Sequence, residues 1–220
     1  MMNKKRIIYF ALMFLPLLIA VIAFPFLPEK IPAHYNFAGE IDRWGSKYET
    51  LIFPLVTIGM GLFMLWMAKI SAKQEEGGKN NEKIVFYTGM GLSVFFTLEH
   101  CFSLYKSFAA AESMSYAHEA DINQFVCILL GISLVIMGNF MPKLRSNGII
   151  GLRTPWSMKN DITWKKSQLF GGISFMVCGA IMVVCGIFID GYTAMGVALG
   201  LIIIDTIVCV IYSYKIAKKY

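Results

Sequence analysis

The stretch Gln168–Ile189, QLFGGISFMVCGAIMVVCGIFI, contains no charged residue. Roughly 20 residues at a helical rise of 1.5 Å cross the hydrocarbon core of a bilayer, so an uncharged apolar run of this length predicts a transmembrane helix. Five further apolar runs have similar character: Ile7–Leu27, Leu51–Ile70, Ile84–Lys106, Ile122–Phe140 and Tyr192–Tyr214. They are continuous rather than alternating, which argues against barrel strands, and lipid offers the backbone no other regular solution. The chain of 220 residues is 57% hydrophobic and only 15% charged. It predicts a single transmembrane domain over residues 1–220, an all-α bundle of six helices with no room for a separate soluble domain.

A net charge of +6 suggests a nucleic-acid partner only until the charges are placed. Lys4, Lys5 and Arg6 precede the first run, and Lys215, Lys218 and Lys219 end the chain. Lys69, Lys73, Lys79 and Lys83 flank the second connection, and Lys143, Arg145, Arg153, Lys159, Lys165 and Lys166 fill the fourth. The first, third and fifth connections balance or reverse their charge with Glu29, Glu40, Asp42, Glu49, Glu112, Glu119, Asp121 and Asp190. This alternation follows the positive-inside rule. It predicts a multi-pass protein of the cytoplasmic membrane with both termini cytoplasmic, its direct partner the lipid bilayer and not nucleic acid. The first run begins like a signal peptide, but it is long, and Pro25 and Pro28 stand where a small-residue cleavage site should be. It reads as a retained first helix.

Little in the chain points to catalysis. Cys101, Cys127, Cys178, Cys185 and Cys209 all fall within apolar runs, so a disulfide framework is not expected. His34, His100 and His118 lack the spacing of metal ligands on one helix, and nothing calls for a cofactor. No nucleophile and base are brought together by any recognisable motif, so the chain does not read as an enzyme. Ionisable residues within spans are costly and therefore candidates for function. Glu99, His100 and Asp205 are in this position. Glu99 lies about 10 Å in from Lys106, and Asp205 about 20 Å in from Tyr192. They could be hydrogen-bonded packing groups or part of a proton or solute path, the latter making the chain a transporter. Gly196-x-x-x-Gly200 is a small-residue packing pattern that serves intramolecular contact as well as dimerisation.

Two connections are unusual. The first, residues 28–50, contains IPAHYNFAGEIDRWGSKYE, with the skeleton Pro32, His34, Asn36, Gly39, Asp42 and Lys47. Alternation over Ile31–Phe37 predicts an extended segment with His34 and Asn36 on one side, and Phe37-Ala38-Gly39-Glu40 predicts a turn with Gly39 at positive φ. It could be a binding surface or a lid. Thr50 is the expected cap of the second helix. The fourth connection, residues 141–167, contains NGIIGLRTPWSMKNDITW. Pro155 holds Thr154 extended, and Asn160 is placed to cap a helix from about Asp161. Trp156, Trp164 and the lysines suit an interfacial anchor. An anchor does not explain the order Gly-x-Arg-Thr-Pro-Trp. Arg153, with its rigid fork, is expected to clamp carbonyls or a carboxylate at helix ends.

The run Gly151-Leu152-Arg153-Thr154-Pro155-Trp156-Ser157, with Trp164 eight residues after the first tryptophan and Asn147 upstream, resembles the hallmark of the SdpI family of bacterial membrane immunity proteins. The Pro32/His34/Asn36/Gly39/Asp42/Lys47 skeleton resembles that family's second signature, in the first extracytoplasmic loop. One departure is Ser167-Gln168, where a threonine-histidine pair is frequent. The resemblance implies protection against a secreted, membrane-active killing peptide, with signalling through a cytoplasmic autorepressor held at the membrane as a further implied role. The alternative left by the residues alone is a small-solute or proton-coupled transporter using Glu99 and Asp205.

Overall fold

The computed structural model describes residues 4–74, 77–112 and 121–220. In order along the chain these form α1 (Lys4–Ala23), β1 (Lys30–Tyr35), β2 (Ile41–Ser46), α2 (Ile52–Ala72), α3 (Gly78–Glu112), α4 (Ile122–Phe140), α5 (Asp161–Phe188) and α6 (Gly191–Lys219). Six of these helices are long and apolar enough to cross a membrane. Their outward faces are apolar too: Ile203 and Ile204 of α6 are each 60% exposed. A helix apolar on every side suits lipid rather than water. Residues 113–120, which include His118 and most of the expected third connection, lie outside the described residues.

The architecture differs from an all-helical expectation in one element. β1 and β2 pair as an antiparallel hairpin between α1 and α2. Asp42, Trp44 and Gly45 do not alternate in hydropathy, which is why the second strand was illegible. The cap also differs. Ser46, not Thr50, opens the segment, forming a capping box with Glu49 ahead of a 3-10 turn over Lys47–Leu51 that leads into α2.

The chain divides into two compact units, Met1–Met64 with Gly89–Ile122, and Leu65–Thr88 with Asn123–Tyr220. In the first unit, Leu27, Ile31 and Leu104 form a core with Ile19, Ala23 and Phe108 around it. The hairpin is therefore seated through Ile31, while most of its other side chains remain accessible. The Tyr9 hydroxyl donates to the Gly61 carbonyl at 2.8 Å.

In the second unit, α4 and α5 meet along a glycine seam. Gly131 and Gly138 lie seven residues apart on α4, as do Gly172, Gly179 and Gly186 on α5. A Cβ on Gly131 would stand 2.6 Å from the Gly179 carbonyl oxygen, and one on Gly138 would stand 2.5 Å from that of Gly172. Small residues let membrane helices approach closely enough for dispersion contacts between backbones. Gly172 is thus a point of close backbone approach. Gly196 and Gly200 do not: a Cβ on either meets nothing within 4 Å. The small-xxx-small pattern of α6 is not an internal packing face. Here α6 packs on α5 through other positions, including the stacked rings of Phe170 and Tyr212, 3.9 Å apart at 8°.

Candidate functional site

Both motif-bearing connections are built from hydrogen bonds that the sequence order supplies. In the hairpin, the turn is closed by Asn36. Its backbone N–H donates to the Glu40 carbonyl at 2.9 Å, its carbonyl accepts from Gly39 at 2.9 Å, and its side-chain oxygen accepts from Glu40 N–H at 3.0 Å. Gly39 adopts φ 82°, a conformation that a side chain disfavours. His34 Nδ1 lies 2.6 Å from Asp42 Oδ1 across the strands. Lys47 bonds Glu29 at 2.7 Å, and Arg43 reaches both carboxylate oxygens of Glu49 at 3.2 and 2.9 Å. The adjacent Glu49 carboxylate holds the Arg43 pKa above its usual value. Pro32 is buried and pairs with Trp44. Burial pushes the Tyr35 hydroxyl up to about 12. The expected alternation is interrupted by register shifts on either side of His34. Asn36 lies past the strand end and turns to Glu40 instead of sharing a face with His34. Around this frame Trp44 is half exposed.

The loop between α4 and α5 is held from several directions. Asn147 is 6% exposed. Its side-chain oxygen accepts from Ile149 and Ile150 N–H at 2.8 Å, and its amide donates to the Arg145 carbonyl at 2.8 Å. Gly151 has φ 108°, and a Cβ there would press on Gln168. Gln168, fully buried, then pairs with the backbone of Leu152. It accepts from the Leu152 N–H and donates to the Leu152 carbonyl, both at 2.9 Å. Thr154 and Ser157 lock the corner made by Pro155. Each backbone N–H donates to the other's hydroxyl at 2.9 Å, and Ser157 Oγ donates to Leu152 O at 2.7 Å.

The same loop is stapled to the end of α6. Thr154 Oγ1 and Ser213 Oγ are 2.9 Å apart, and the Trp156 and Tyr214 rings meet edge to face at 5.2 Å. Lys159 donates to the Ala217 carbonyl at 2.7 Å, placing a cation on the negative end of the helix. On the other side Asn80 donates to Lys143 O at 2.7 Å. Asn81 donates to Arg145 O at 3.2 Å and accepts from Arg145 N–H at 3.1 Å. The segment containing Asn80 and Asn81, within the second connection, is therefore the helical start of α3 and a brace for the loop.

Two side chains depart from expectation here. Trp164 is no interfacial anchor. It is 1% exposed, in a core with Ile84, Met141 and Leu144, and its indole N–H donates to the Leu144 carbonyl at 2.9 Å. The cap at Asn160, which accepts from Thr163 N–H at 2.9 Å, starts α5 early enough to turn Trp164 inward. Arg153 is no clamp. It is exposed and makes no hydrogen bond or ion pair among the described residues. Carbonyls around the loop are held instead by Asn80, Asn81, Ser157, Lys159, Trp164 and Gln168. Behind the loop lies an apolar cavity of about 230 Å³, with Gly151, Leu152 and Arg153 in its wall.

Of the ionisable residues within spans, Glu99 and His100 belong to the first unit and Asp205 to the second. Asp205 is buried, accepting a hydrogen bond from Ser174 and lying 3.8 Å from the Cys209 thiol. Glu99 is nearly buried, and fully buried His100 faces the Phe53 ring at 6.2 Å. Among the described residues no group of three His, Cys, Asp or Glu side chains is arranged to hold a metal ion.

Comparison with known proteins agrees with these two foci. Residues 11–58, covering the latter part of α1, the hairpin and the start of α2, match a family model described as a domain of unknown function, DUF1648. Residues 143–213, covering the loop, α5 and most of α6, match the model of the SdpI/YfhL protein family. The chain is 26% identical over 216 residues to "Immunity protein SdpI" of Bacillus subtilis (strain 168), an alignment covering 98% of this chain and 97% of the relative. No solved structure matches. The SdpI/YfhL model falls on the Gly-x-Arg-Thr-Pro-Trp loop and the relative aligns end to end, so this multi-pass membrane protein is similar to the SdpI family both at that loop and along its length.

Proposed function

We propose that this protein is a membrane immunity protein, protecting the cell that makes it from a secreted, membrane-active killing peptide. The observation that carries this reading is the end-to-end alignment with Immunity protein SdpI, which leaves neither chain with an unmatched domain. The charge alternation supports an orientation with both termini and the Gly-x-Arg-Thr-Pro-Trp loop cytoplasmic, and with the hairpin facing outward. In that orientation the hairpin meets a peptide arriving from outside. The loop, with exposed Arg153 and Trp156 on a braced frame, offers a cytoplasmic surface for an autorepressor. Coupling of the two would require a state of the loop that depends on the hairpin's ligand.

Survival tests this directly. A bacterium sensitive to the killing peptide of the Bacillus subtilis system is made to express the chain, and viable cells are counted after exposure. Protection by the wild type, lost in His34→Ala or Arg153→Ala at equal membrane abundance and kept in Lys79→Ala, is the expected result. Equal survival with and without the wild-type chain, at verified expression, would refute protection against that peptide.

A further inference from the structure

We propose that the cavity behind the Gly-x-Arg-Thr-Pro-Trp loop is a binding site for an anionic phospholipid, its acyl chain in the cavity and its phosphate on Arg153. This does not rest on the immunity reading. The first observation is the lining: Ile84, Met137, Phe140, Phe175 and Leu152 make the wall of this 230 Å³ space apolar, so it favours a hydrocarbon segment over a soluble anion. The second is the unspent charge. The polar side chains of Asn147, Thr154, Ser157, Lys159, Trp164 and Gln168 are all engaged within the chain. Arg153 also contributes to the cavity wall, and it has no partner among the described residues. A guanidinium fork presents paired donors that match phosphate oxygens.

The third observation is the surrounding field. Residues 141–167 carry Lys143, Arg145, Arg153, Lys159, Lys165 and Lys166 against Asp161 alone. A net negative headgroup gains from that field, and a zwitterionic one gains much less. The fourth is position. The loop and cavity carry groups typical of a headgroup boundary: Trp156 of the loop against Tyr214, Lys218 over the Tyr214 ring at 4.5 Å, and Lys143 over the cavity-lining Phe140 at 5.1 Å. Basic pockets between membrane helices at this level recognise anionic lipid headgroups.

The test uses the full chain, purified in neutral detergent and washed free of lipid. Thermal unfolding is followed while phosphatidylglycerol or phosphatidylcholine with identical acyl chains is added, and native mass spectrometry counts the lipids retained. Phosphatidylglycerol should raise the midpoint more than phosphatidylcholine. Arg153→Gln should weaken the phosphatidylglycerol response about tenfold, as expected for losing charge-assisted hydrogen bonds. Lys79→Gln should leave it unchanged. Thr206→Phe, which fills the cavity from α6, should abolish retention with Arg153 intact. If that variant does not fold, Arg153→Gln still decides, because its side chain braces nothing. Equal response to both lipids, or a preference that survives Arg153→Gln, overturns the proposal. So would Arg153-dependent binding of an apolar peptide acid without phosphatidylglycerol binding, which would assign the cavity to a peptide.

Discussion

Replacing Gln168 by leucine tests whether the Gly-x-Arg-Thr-Pro-Trp loop is held from within the membrane unit. Gln168 is fully buried and satisfies both backbone groups of Leu152, at 2.9 Å each. Leucine keeps the volume but removes one donor and one acceptor. A buried polar group left without its partner costs about 1–3 kcal/mol; the Leu152 N–H loses its partner, while the Leu152 carbonyl keeps the Ser157 hydroxyl. Leu152 is itself half-buried, which lets water compensate in part and favours the lower end. For a chain of this size each kcal/mol moves the unfolding midpoint by about 2–4 °C, so a drop of at least about 2 °C is expected. Gln168→Glu keeps the shape and the acceptor but sets an oxygen against the Leu152 carbonyl, and it should lose at least as much near neutral pH. The assay is thermal unfolding of the purified chain in detergent, with Lys79→Ala as the surface control. Midpoints of both Gln168 variants within about 1 °C of wild type would refute the reasoning, because no rearrangement of Gln168 alone could then be bearing the loop.

Other positions extend the same logic. Gly138→Ala places a methyl against the Gly172 carbonyl and should destabilise the chain by about 1–3 kcal/mol, whereas Gly196→Ala, in open space, should be neutral or stabilising by up to about 1 kcal/mol; unfolding midpoints separate the two. Trp164→Phe orphans the Leu144 carbonyl and should cost about 1–3 kcal/mol by the same measurement, where an interfacial anchor would show almost nothing. Asp190 accepts from the Thr193 N–H at 3.0 Å, and that backbone bond holds its carboxyl below the usual range. Its stabilisation is present above the ordinary carboxylate pKa and is lost as pH falls through the lowered one. The stability gap between wild type and Asp190→Ala should therefore close on acidification; a gap independent of pH would contradict this. His34→Ala should leave the unfolding midpoint within about 1 °C, since exposed ion pairs contribute little, while protection is lost; survival and unfolding measured on the same variant check it.

The coarse fold was legible because bilayer thickness fixes the length of an apolar run. Six runs gave six helices for that reason. The finer contacts were less legible, each for an identifiable cause. The α4–α5 seam is written as glycines seven apart, a regular signal, but a glycine's partner helix is not encoded in its own neighbourhood. β2 carried no alternation because Asp42, Arg43 and Trp44 are exposed one after another and its single buried residue is Gly45. Trp164 was misread because aromatic residues beside lysines commonly mark an interface. The helix start at Asp161 was expected, but the neighbours that bury Trp164, namely Ile84, Met141 and Leu144, are remote in sequence and no local pattern names them. Arg153 was misread in the opposite sense. Its chemistry suits carbonyl clamping, but other side chains, Lys159 and several uncharged ones, hold the carbonyls around the loop. Gln168 stood out only as a departure from the family pattern, and nothing local signalled that it would face Leu152, sixteen residues earlier.

The two motifs use polar residues in physically different ways, which separates stability from function. In the hairpin the paired charges are exposed, so the His34–Asp42 and Arg43–Glu49 contacts hold a shape at little net gain in folding energy. Their removal changes what the hairpin presents more than whether the chain folds. In the loop, the side chains of Asn147, Trp164 and Gln168 satisfy backbone groups in a buried setting, where an unmade bond is expensive. Their removal acts on folding first and on function through it. Arg153 belongs to neither class. It stands on the braced frame, spends nothing on the frame, and keeps its full charge and all its donors for whatever reaches the loop. A side chain of that kind is the one through which a scaffold can act on a ligand without risking itself, so loss of activity with an unchanged fold is the signature to seek at Arg153.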